Sequence, residues 1–408
     1  MTRARRVALV YATQREAGGA ERYLNQLASR LAEDGHAVSI VCRRHEEPPH
    51  PKVRFVRLPV RALGNSWRHW AFARAVERHV DATGYDVVVG LGRTWSQDVI
   101  RCGGCHRSFL DVERRRILSR FDRWRGKGML KGWVAERIEA RAYAPGRYRR
   151  VLVSSHVIRR DLQRRYGVPE EAVSVIPNGV DLERFHPRLR EGAGAALRRE
   201  WGIGAEEVSI LFLGAGFERK GLAPLLEAMP AVRRRCPGAR LVVVGRDRRQ
   251  SHFEARARRL GLGEAVLFAG WRPDPEVCFA AADLHALPTY YDSFAYTVLE
   301  AMASGVPVVT SADAGAAELM APGRHGEVLA SGFSSEDLAR ALVAWCDPER
   351  LAAQRGAVRA RAEEHPLRRS TDATARAILD VADQLEAGRA APVGLAPAPG
   401  LGPARSAG

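Results

Sequence analysis

The sequence predicts an α/β protein made of two doubly wound domains that face each other across a cleft. Three observations predict it. The 408 residues exceed what a single ordinary core serves, and two domains of ordinary size account for them. Strand-length apolar runs alternate with helical segments along nearly the whole chain, the pattern of parallel strands joined by crossover helices. The alternation also pauses once, at the turn signal Pro177-Asn178-Gly179-Val180-Asp181 and the polar stretch after it, and restarts at Val208.

In the first half, Val7–Tyr11 reads as a strand, followed by a loop through Gly18-Gly19 and a helix from Ala20 to about Asp34 that Gly35 closes. Ala37–Cys42, Val53–Leu58, Asp86–Gly90, Val151–Ser154 and Val173–Ile176 continue the strands. His186–Glu200 reads as the inter-domain connection. In the second half, Val208–Leu213, Ala239–Gly245, Ala265–Ala269, Leu284–Leu287 and Val306–Thr310 are strands. Helices are expected over Gly221–Arg235, His252–Leu260, Ser335–Cys346, Glu349–Glu364 and Arg369–Glu386, the last crossing back to the first domain. The division is therefore 1–185, 186–386 and an Ala/Pro/Gly-rich tail over 387–408 that cannot bury enough surface to order itself. Paired domains of this Rossmann-like type bind ligands outside the carboxyl ends of their strands.

Composition narrows the class. Hydrophobic residues at 46% and charged residues at 27% suit a folded globular chain, and no apolar run approaches the ~20 residues of a membrane helix. Val7–Tyr11 falls short of the about 7–15 residues of a signal-peptide core, so a cytoplasmic protein is expected. The net charge of +17 is almost wholly arginine, since Lys52, Lys127, Lys131 and Lys220 are the only lysines. Such a bias fits both a compositional drift on a solvated surface and attraction to an anionic partner. Cys102-Gly103-Gly104-Cys105-His106 matches the haem-attachment string, but without an export signal, a thioredoxin-like context or a second ligand pair, haem, redox and zinc readings are set aside.

Three loops carry chemistry. Gly18-Gly19-Ala20-Glu21-Arg22 follows the first strand and opens a helix, where glycines let backbone N–H groups approach a phosphate at the positive end of the helix dipole. A tight turn explains it as well, and it is no full dinucleotide fingerprint. Phe217-Glu218-Arg219-Lys220-Gly221 follows the first strand of the second half, so that Arg219 and Lys220 are placed to clamp a diphosphate. The segment from Tyr291 to Val309 reads as loop, helix, glycine cap and strand, with Asp292 before the helix and Glu300 within it among apolar neighbours. A buried carboxylate needs a partner or a ligand. Eight residues of helix would hold Asp292 and Glu300 about 12 Å apart, too far for a glycosidase pair at ~5–9.5 Å. Binding sugar and ribose hydroxyls suits them better, and the N–H groups of Ser293, Phe294, Ala295 and Tyr296 at the helix start are expected to be free for phosphate.

Asp292, seven intervening residues, Glu300 and then Ala-Met-Ala-Ser-Gly-Val-Pro-Val-Val resemble the signature of the large retaining glycosyltransferase family numbered four, of the GT-B fold. The likeness covers about residues 5–385 and includes Gly-Gly-Ala-Glu-Arg, Pro-Asn-Gly-Val-Asp, Arg219-Lys220-Gly221 and Ala281-Ala282-Asp283-Leu284, in the family's order. Within the family it resembles the lipopolysaccharide-core glucosyltransferases. The resemblance implies transfer of a hexose from a nucleotide sugar, UDP-glucose by likeness, with retention, with no metal or other cofactor, onto a lipid-linked glycan. It also implies roles: Arg219 and Lys220 on the leaving diphosphate, Glu300 on the donor ribose, Asp292 on the sugar hydroxyls, and His106 near the sugar. The family usually has Glu at position 292, so the shorter Asp292 is a departure that bears on the donor.

Between Arg107 and Arg150, 14 basic residues face 5 acidic ones. Leu110, Ile117, Leu118, Phe121, Trp124, Leu130, Trp133 and Val134 recur there at roughly helical spacing. Such a stripe either lies in an anionic membrane surface or packs on the first core. The expected site is thus on the cytoplasmic face of the membrane. A nucleotide-sugar epimerase of similar fold leaves the Arg219-Lys220 and Asp292/Glu300 combination unexplained. A nucleic-acid-binding protein lacks a docking module, so no nucleic acid is expected as a partner.

Overall fold

The computed structural model of the chain describes residues 3–14, 19–114 and 129–390. Gly18, Ile117, Leu118, Phe121 and Trp124 lie outside the described residues.

The first domain is a seven-stranded sheet of β1 (Arg6–Val10), β2 (Ala37–Cys42), β3 (Arg54–Arg57), β4 (Val87–Gly90), β5 (Val99–Cys102), β6 (Arg150–Val153) and β7 (Val173–Val175), in the order β3-β2-β1-β4-β5-β6-β7. Every pairing is parallel. Its helices are α1 (Gly19–Glu33), α2 (Asn65–Thr83), α3 (His106–Val112), α4 (Met129–Ala142) and α5 (His156–Tyr166). Because helices cover both faces, strands such as Val87-Val88-Val89-Gly90 are buried throughout and carry uninterrupted valine.

The second domain repeats the plan with α6 (Ala195–Glu200), β8 (Val208–Leu213), α7 (Leu222–Arg235), β9 (Ala239–Val244), α8 (Gln250–Arg259), β10 (Val266–Gly270), α9 (Pro275–Ala280), β11 (Leu284–Leu287), α10 (Tyr296–Ala303), β12 (Val308–Ser311) and β13 (Gly326–Leu329). Its strand order is β10-β9-β8-β11-β12-β13. Then come α11 (Ser335–Trp345), α12 (Pro348–Glu363) and the 24-residue α13 (Leu367–Ala390). Two such sheets, each wound in both directions from its first strand, are the predicted GT-B architecture.

The helix α13 lies on the first domain. Ala375, Ile378, Val381 and Ala382 join the core around Val7, Leu24 and Val87, and Tyr23 Oη donates to Thr374 Oγ1 at 2.9 Å. The helix extends through Ala390, so residues 387–390, expected in the tail, are helical.

Several elements escaped the sequence reading or differ from it, among them α5 and α9, where no helix was expected. β5 was not anticipated because Arg101 interrupts its apolar run. Arg101 is nonetheless buried, its Nη2 donating to Asn178 Oδ1 at 2.6 Å and its guanidinium lying 4.7 Å from the Tyr23 ring centroid. β13 is a short edge strand with a charged residue inside it, and α2, although long, shows weak apolar periodicity. The stretch 186–200 is no loose connection. It coils through short helical turns into α6, and Arg190 and Arg198 bind Asp283.

Asp283, the acid of Ala281-Ala282-Asp283-Leu284, is a hub. Its Oδ2 accepts from Arg198 Nη1 at 2.7 Å and Ser209 N at 2.9 Å, and its Oδ1 from Arg190 and from Arg355 Nη2 at 3.2 Å. Burial alone would raise its carboxyl pKa, but Arg190 and Arg198 hold it below the usual value. Asp283→Asn removes the anion that three half-buried guanidiniums share and is expected to cost about 3 kcal/mol in urea unfolding. A depressed folded pKa gives stability that is fully present above the unfolded value, near 3.9, and is lost as pH falls through the folded one. The wild-type stability should accordingly drop below about pH 4 more steeply than that of the variant.

Candidate active site

The strand order of the second sheet reverses between β8 and β11, whose neighbouring pairing aligns Leu284 with Ile210. A crevice opens outside the carboxyl ends of strands at such a switch point. The loop after β8 carries Gly214 to Gly221, and the loop after β11 carries Pro288 to Ala295. The two are pressed together. Tyr290 N and Thr289 Oγ1 both donate to Arg219 O, at 2.9 and 3.1 Å. Gly221 has φ +82°, and a Cβ there would sit 1.9 Å from Pro288 O. The Lys220 side chain lies over Gly214, whose Cβ, if present, would be 2.8 Å from Lys220 Cδ.

These contacts bring three of the predicted residues together. Arg219 Nη1 and Lys220 Nζ reach Asp292 Oδ2 at 3.2 and 3.3 Å, and Arg219 Nη1 also donates to Tyr291 O at 2.6 Å. The Asp292 side chain is only 15% exposed. Burial pushes its pKa up, yet Lys220 and Arg219, with the Ala295 N–H, bring it down to about 2. Asp292 is therefore an anion at neutral pH and lies on the two cations expected to meet a diphosphate.

The helix start differs from the sequence reading. α10 begins at Tyr296, so residues 292–295 are not helical and eight residues of helix do not separate Asp292 from Glu300. Nor are all four N–H groups open: those of Ala295 and Phe294 donate to Asp292 Oδ1 at 2.7 and 3.3 Å. Ala295, which caps α10, is the one non-glycine residue among those described with positive φ, +62°. Strain of this kind, about 1–2 kcal/mol, is held in place by Phe294, buried in the second core, whose O accepts from Ala316 N at 2.6 Å.

Glu300 is buried in α10 and its partner comes from the other domain: Arg22 Nη2 donates to its Oε1 at 3.3 Å. Burial raises the Glu300 pKa, opposed by Arg22, Arg184 and Lys220. Gly19 closes the same junction, since a Cβ there would touch the Tyr296 ring at 3.2 Å. Gly19, Arg22, Asn178, Gly179, Arg184, Tyr296 and Glu300 line one cavity between the domains. Arg22 and Arg184 were not singled out from the sequence. The signal available for Arg22 was its place as the sole cation of Gly-Gly-Ala-Glu-Arg.

His106 stands apart from Asp292. It begins α3, its N–H donates to Glu139 Oε1 at 2.7 Å, and Arg93 Nη2 donates to its Nδ1 at 3.2 Å. It lines a first-domain cavity of about 470 Å3 with Tyr11, Glu21, Arg93 and Glu139. Glu139 is a third residue the sequence reading missed; burial raises its pKa against the His106 N–H and Tyr166. The preceding Cys102 and Cys105 are buried free thiols within the first domain.

Tyr291 ties this cavity to the switch point. It inserts into the first domain, where its Oη donates to Asp161 Oδ2 at 3.2 Å and accepts from Cys105 N at 3.1 Å. Ser154 and Ser155 hydroxyls donate to Ser293 O at 3.2 and 3.0 Å. Glu318 of the second domain accepts from His156 N and Val157 N, both at 2.8 Å, at the positive end of α5. The loops of Arg219-Lys220 and Asp292 are thereby held against the wall that bears His106.

Two facing doubly wound domains, with a paired cation site at one switch point and a polar cavity across the cleft, define the GT-B sugar transferases as a class. The family follows from the sequence: residues 17–184 match the family described as Glycosyltransferase Family 4, and residues 195–361 match Glycosyl transferases group 1. The chain belongs to the family 4 glycosyltransferases of GT-B fold. It is 27% identical over 327 residues to the lipopolysaccharide glucosyltransferase WaaG of Escherichia coli (strain K12), covering 80% of this chain and 85% of that one. A probable transglycosylase of Burkholderia thailandensis is 31% identical over 75% of this chain and 77% of its own. The crystal structure of WaaG, a glycosyltransferase involved in lipopolysaccharide biosynthesis, superposes with a TM-score of 0.77 at 25% identity, covering 91% and 99% of the two chains. HepE of Anabaena, in complex with UDP and glucose, shares the fold at a TM-score of 0.64 and 19% identity, over 95% and 100%. Both matched families are sugar transferases, which favours transfer over the epimerase and nucleic-acid readings.

Proposed function

We propose that this glycosyltransferase moves glucose from UDP-glucose, with retention and without a metal, onto a lipid-linked glycan such as lipopolysaccharide core. The observation that carries the reading is the Arg219–Lys220–Asp292 cluster. Two cations on one buried carboxylate form a site already charged for a ligand that brings its own negative groups. A diphosphate displaces Asp292 from the cations, and Asp292, still ionised, turns to accept hydrogen bonds from sugar hydroxyls. Glu300 accepts from the ribose, and Arg22 leaves it or shares it. As the bond to the anomeric carbon breaks, charge gathers on the departing phosphate, where Arg219, Lys220 and the nearby N–H groups oppose it electrostatically. Packing of Tyr291 and Ser293 against the first domain aligns acceptor and donor and excludes water. His106 lies on the acceptor side of that junction, near the transferred sugar.

The donor is read by thermal shift of the purified chain with UDP, GDP and ADP. UDP is expected to stabilise it most, and a larger shift with GDP removes the donor assignment. Turnover of UDP-glucose should survive EDTA, and the product should carry the α-anomer by NMR. Loss of turnover in EDTA, or a β-product, contradicts the metal-independent retaining mechanism.

We place the protein peripherally on the inner face of the cytoplasmic membrane. No helix among the described residues is long and apolar enough to cross a membrane. Part of the stripe between 107 and 150 belongs to the core instead of a lipid-facing surface: Leu110 and Val134 are buried. Trp133, 47% exposed with the Arg137 guanidinium 4.9 Å from its ring centroid, keeps the amphipathic character that membrane docking requires. Flotation with phosphatidylglycerol vesicles should recover the wild type and less of Trp133→Ser. Equal recovery of the two removes this helix from the docking surface.

A further inference from the structure

A second charged concavity lies on the first domain, beyond the ends of β2 and β3 and at the start of α2. Its volume is about 670 Å3, and Arg43, Arg44, Arg57, Arg61 and Arg68 line it together with apolar residues and no acid. Among the described residues, the hydrogen bonds these side chains make go to neutral groups: Arg43 Nη2 to Thr13 Oγ1 at 3.5 Å and Arg68 Nε to Gly64 O at 3.3 Å. Elsewhere the arginines of this chain are widely matched with carboxylates, as at Asp283 and Asp292. Five guanidiniums around one hollow repel one another, an arrangement that a bound polyanion relieves. Arg43 registers the repulsion: burial, then Arg44 and Arg68, hold its pKa below the usual value. The Arg43 Nε is also buried without a partner.

The hollow adjoins the transfer site. Thr13, to which Arg43 donates, lines the cavity of His106, and so does His69, next to Arg68. The Thr13–Arg44 bridge joins the two walls. We infer that this arginine hollow is a subsite for phosphate groups carried by the acceptor glycan, seating them beside the cavity in which the acceptor hydroxyl meets the sugar. The inference rests on the sugar-transfer reading for the neighbouring cavity. The planar guanidinium fork binds phosphate oxygens bidentately, and several such forks around one hollow suit a group carrying more than one negative charge. Leu63, 92% exposed on the rim, offers a contrary source of the same chemistry, the headgroups of a lipid surface.

The test uses the full chain, with inorganic triphosphate as the probe and saturating UDP present to fill the donor site. Calorimetry should show triphosphate binding in the wild type. The variant Arg44→Gln/Arg57→Gln/Arg61→Gln, whose sites are exposed and whose fold is checked by circular dichroism, should bind at least tenfold more weakly. Its UDP affinity and its flotation with phosphatidylglycerol vesicles should be unchanged. Unaltered triphosphate affinity in the variant overturns the proposal, and so does a loss confined to vesicle flotation, which would assign the hollow to lipid. If UDP itself fails to bind the wild type, the donor reading falls. The hollow is then still read by triphosphate titration of the Lys220→Ala variant with and without the three substitutions, where the same tenfold loss is expected and equal affinity overturns it.

Discussion

Lys220→Ala is expected to lower kcat for UDP-glucose turnover by about 10²–10³-fold, the range for removing one preorganised group that meets developing charge. The Lys220 side chain is 11% exposed, lies along Gly214 and reaches Asp292 at 3.3 Å. It also acts on Glu300 from the same position, so one ammonium serves both carboxylates of the Asp292/Glu300 pair. Lys220→Arg should not restore activity, because the planar fork is wider than the ammonium and the stem is already tight against Gly214. The substitution has a second signature. Without Lys220, burial of Asp292 is opposed mainly by Arg219, so its pKa rises from about 2. The acid limb of the rate profile should therefore move to higher pH in Lys220→Ala. Unchanged turnover and an unmoved acid limb would together remove Lys220 from the reaction.

Gly221→Ala is expected to destabilise the fold by about 3 kcal/mol or more in urea unfolding. Two costs combine. A side chain at φ +82° is strained by about 1–2 kcal/mol, and the new Cβ would lie 1.9 Å from Pro288 O, forcing apart the two loops that make the site. Gly261→Ala supplies the control, since Gly261 also has positive φ, +68°, but no atom lies within 4 Å of where its Cβ would sit. It should cost only about 1–2 kcal/mol. If the two variants prove equally stable, the clash with Pro288 O is relieved by a shift the loops tolerate. In that case Gly221→Ala should still impair turnover through Lys220.

Several levels of this protein are determined by sequence alone. Apolar runs such as Val208–Leu213 and Val306–Val309 become buried parallel strands because only helices on both faces satisfy them. The placement of Arg219, Lys220 and Asp292 follows from loops leaving neighbouring strands, and local spacing is enough to anticipate it. Chain chemistry at those loops also carried the family resemblance.

Tertiary structure decided what spacing cannot reach. Arg101 makes β5 legible only once Asn178 and Tyr23 are seen to receive its charge. The partner of Glu300 is Arg22, 278 residues away in the other domain, and no local pattern encodes that distance. Two N–H groups at the start of α10 proved to be held by Asp292, because Ala295 turns left-handed and the helix begins late. The first domain's arginines likewise appear in sequence as a diffuse excess of charge, and only the folded sheet edge gathers five of them around one hollow. Local sequence sets hydrophobic period and loop chemistry, which act over a few residues. Pairing of buried charges depends on which surfaces meet when two domains close, and that is a property of the whole chain.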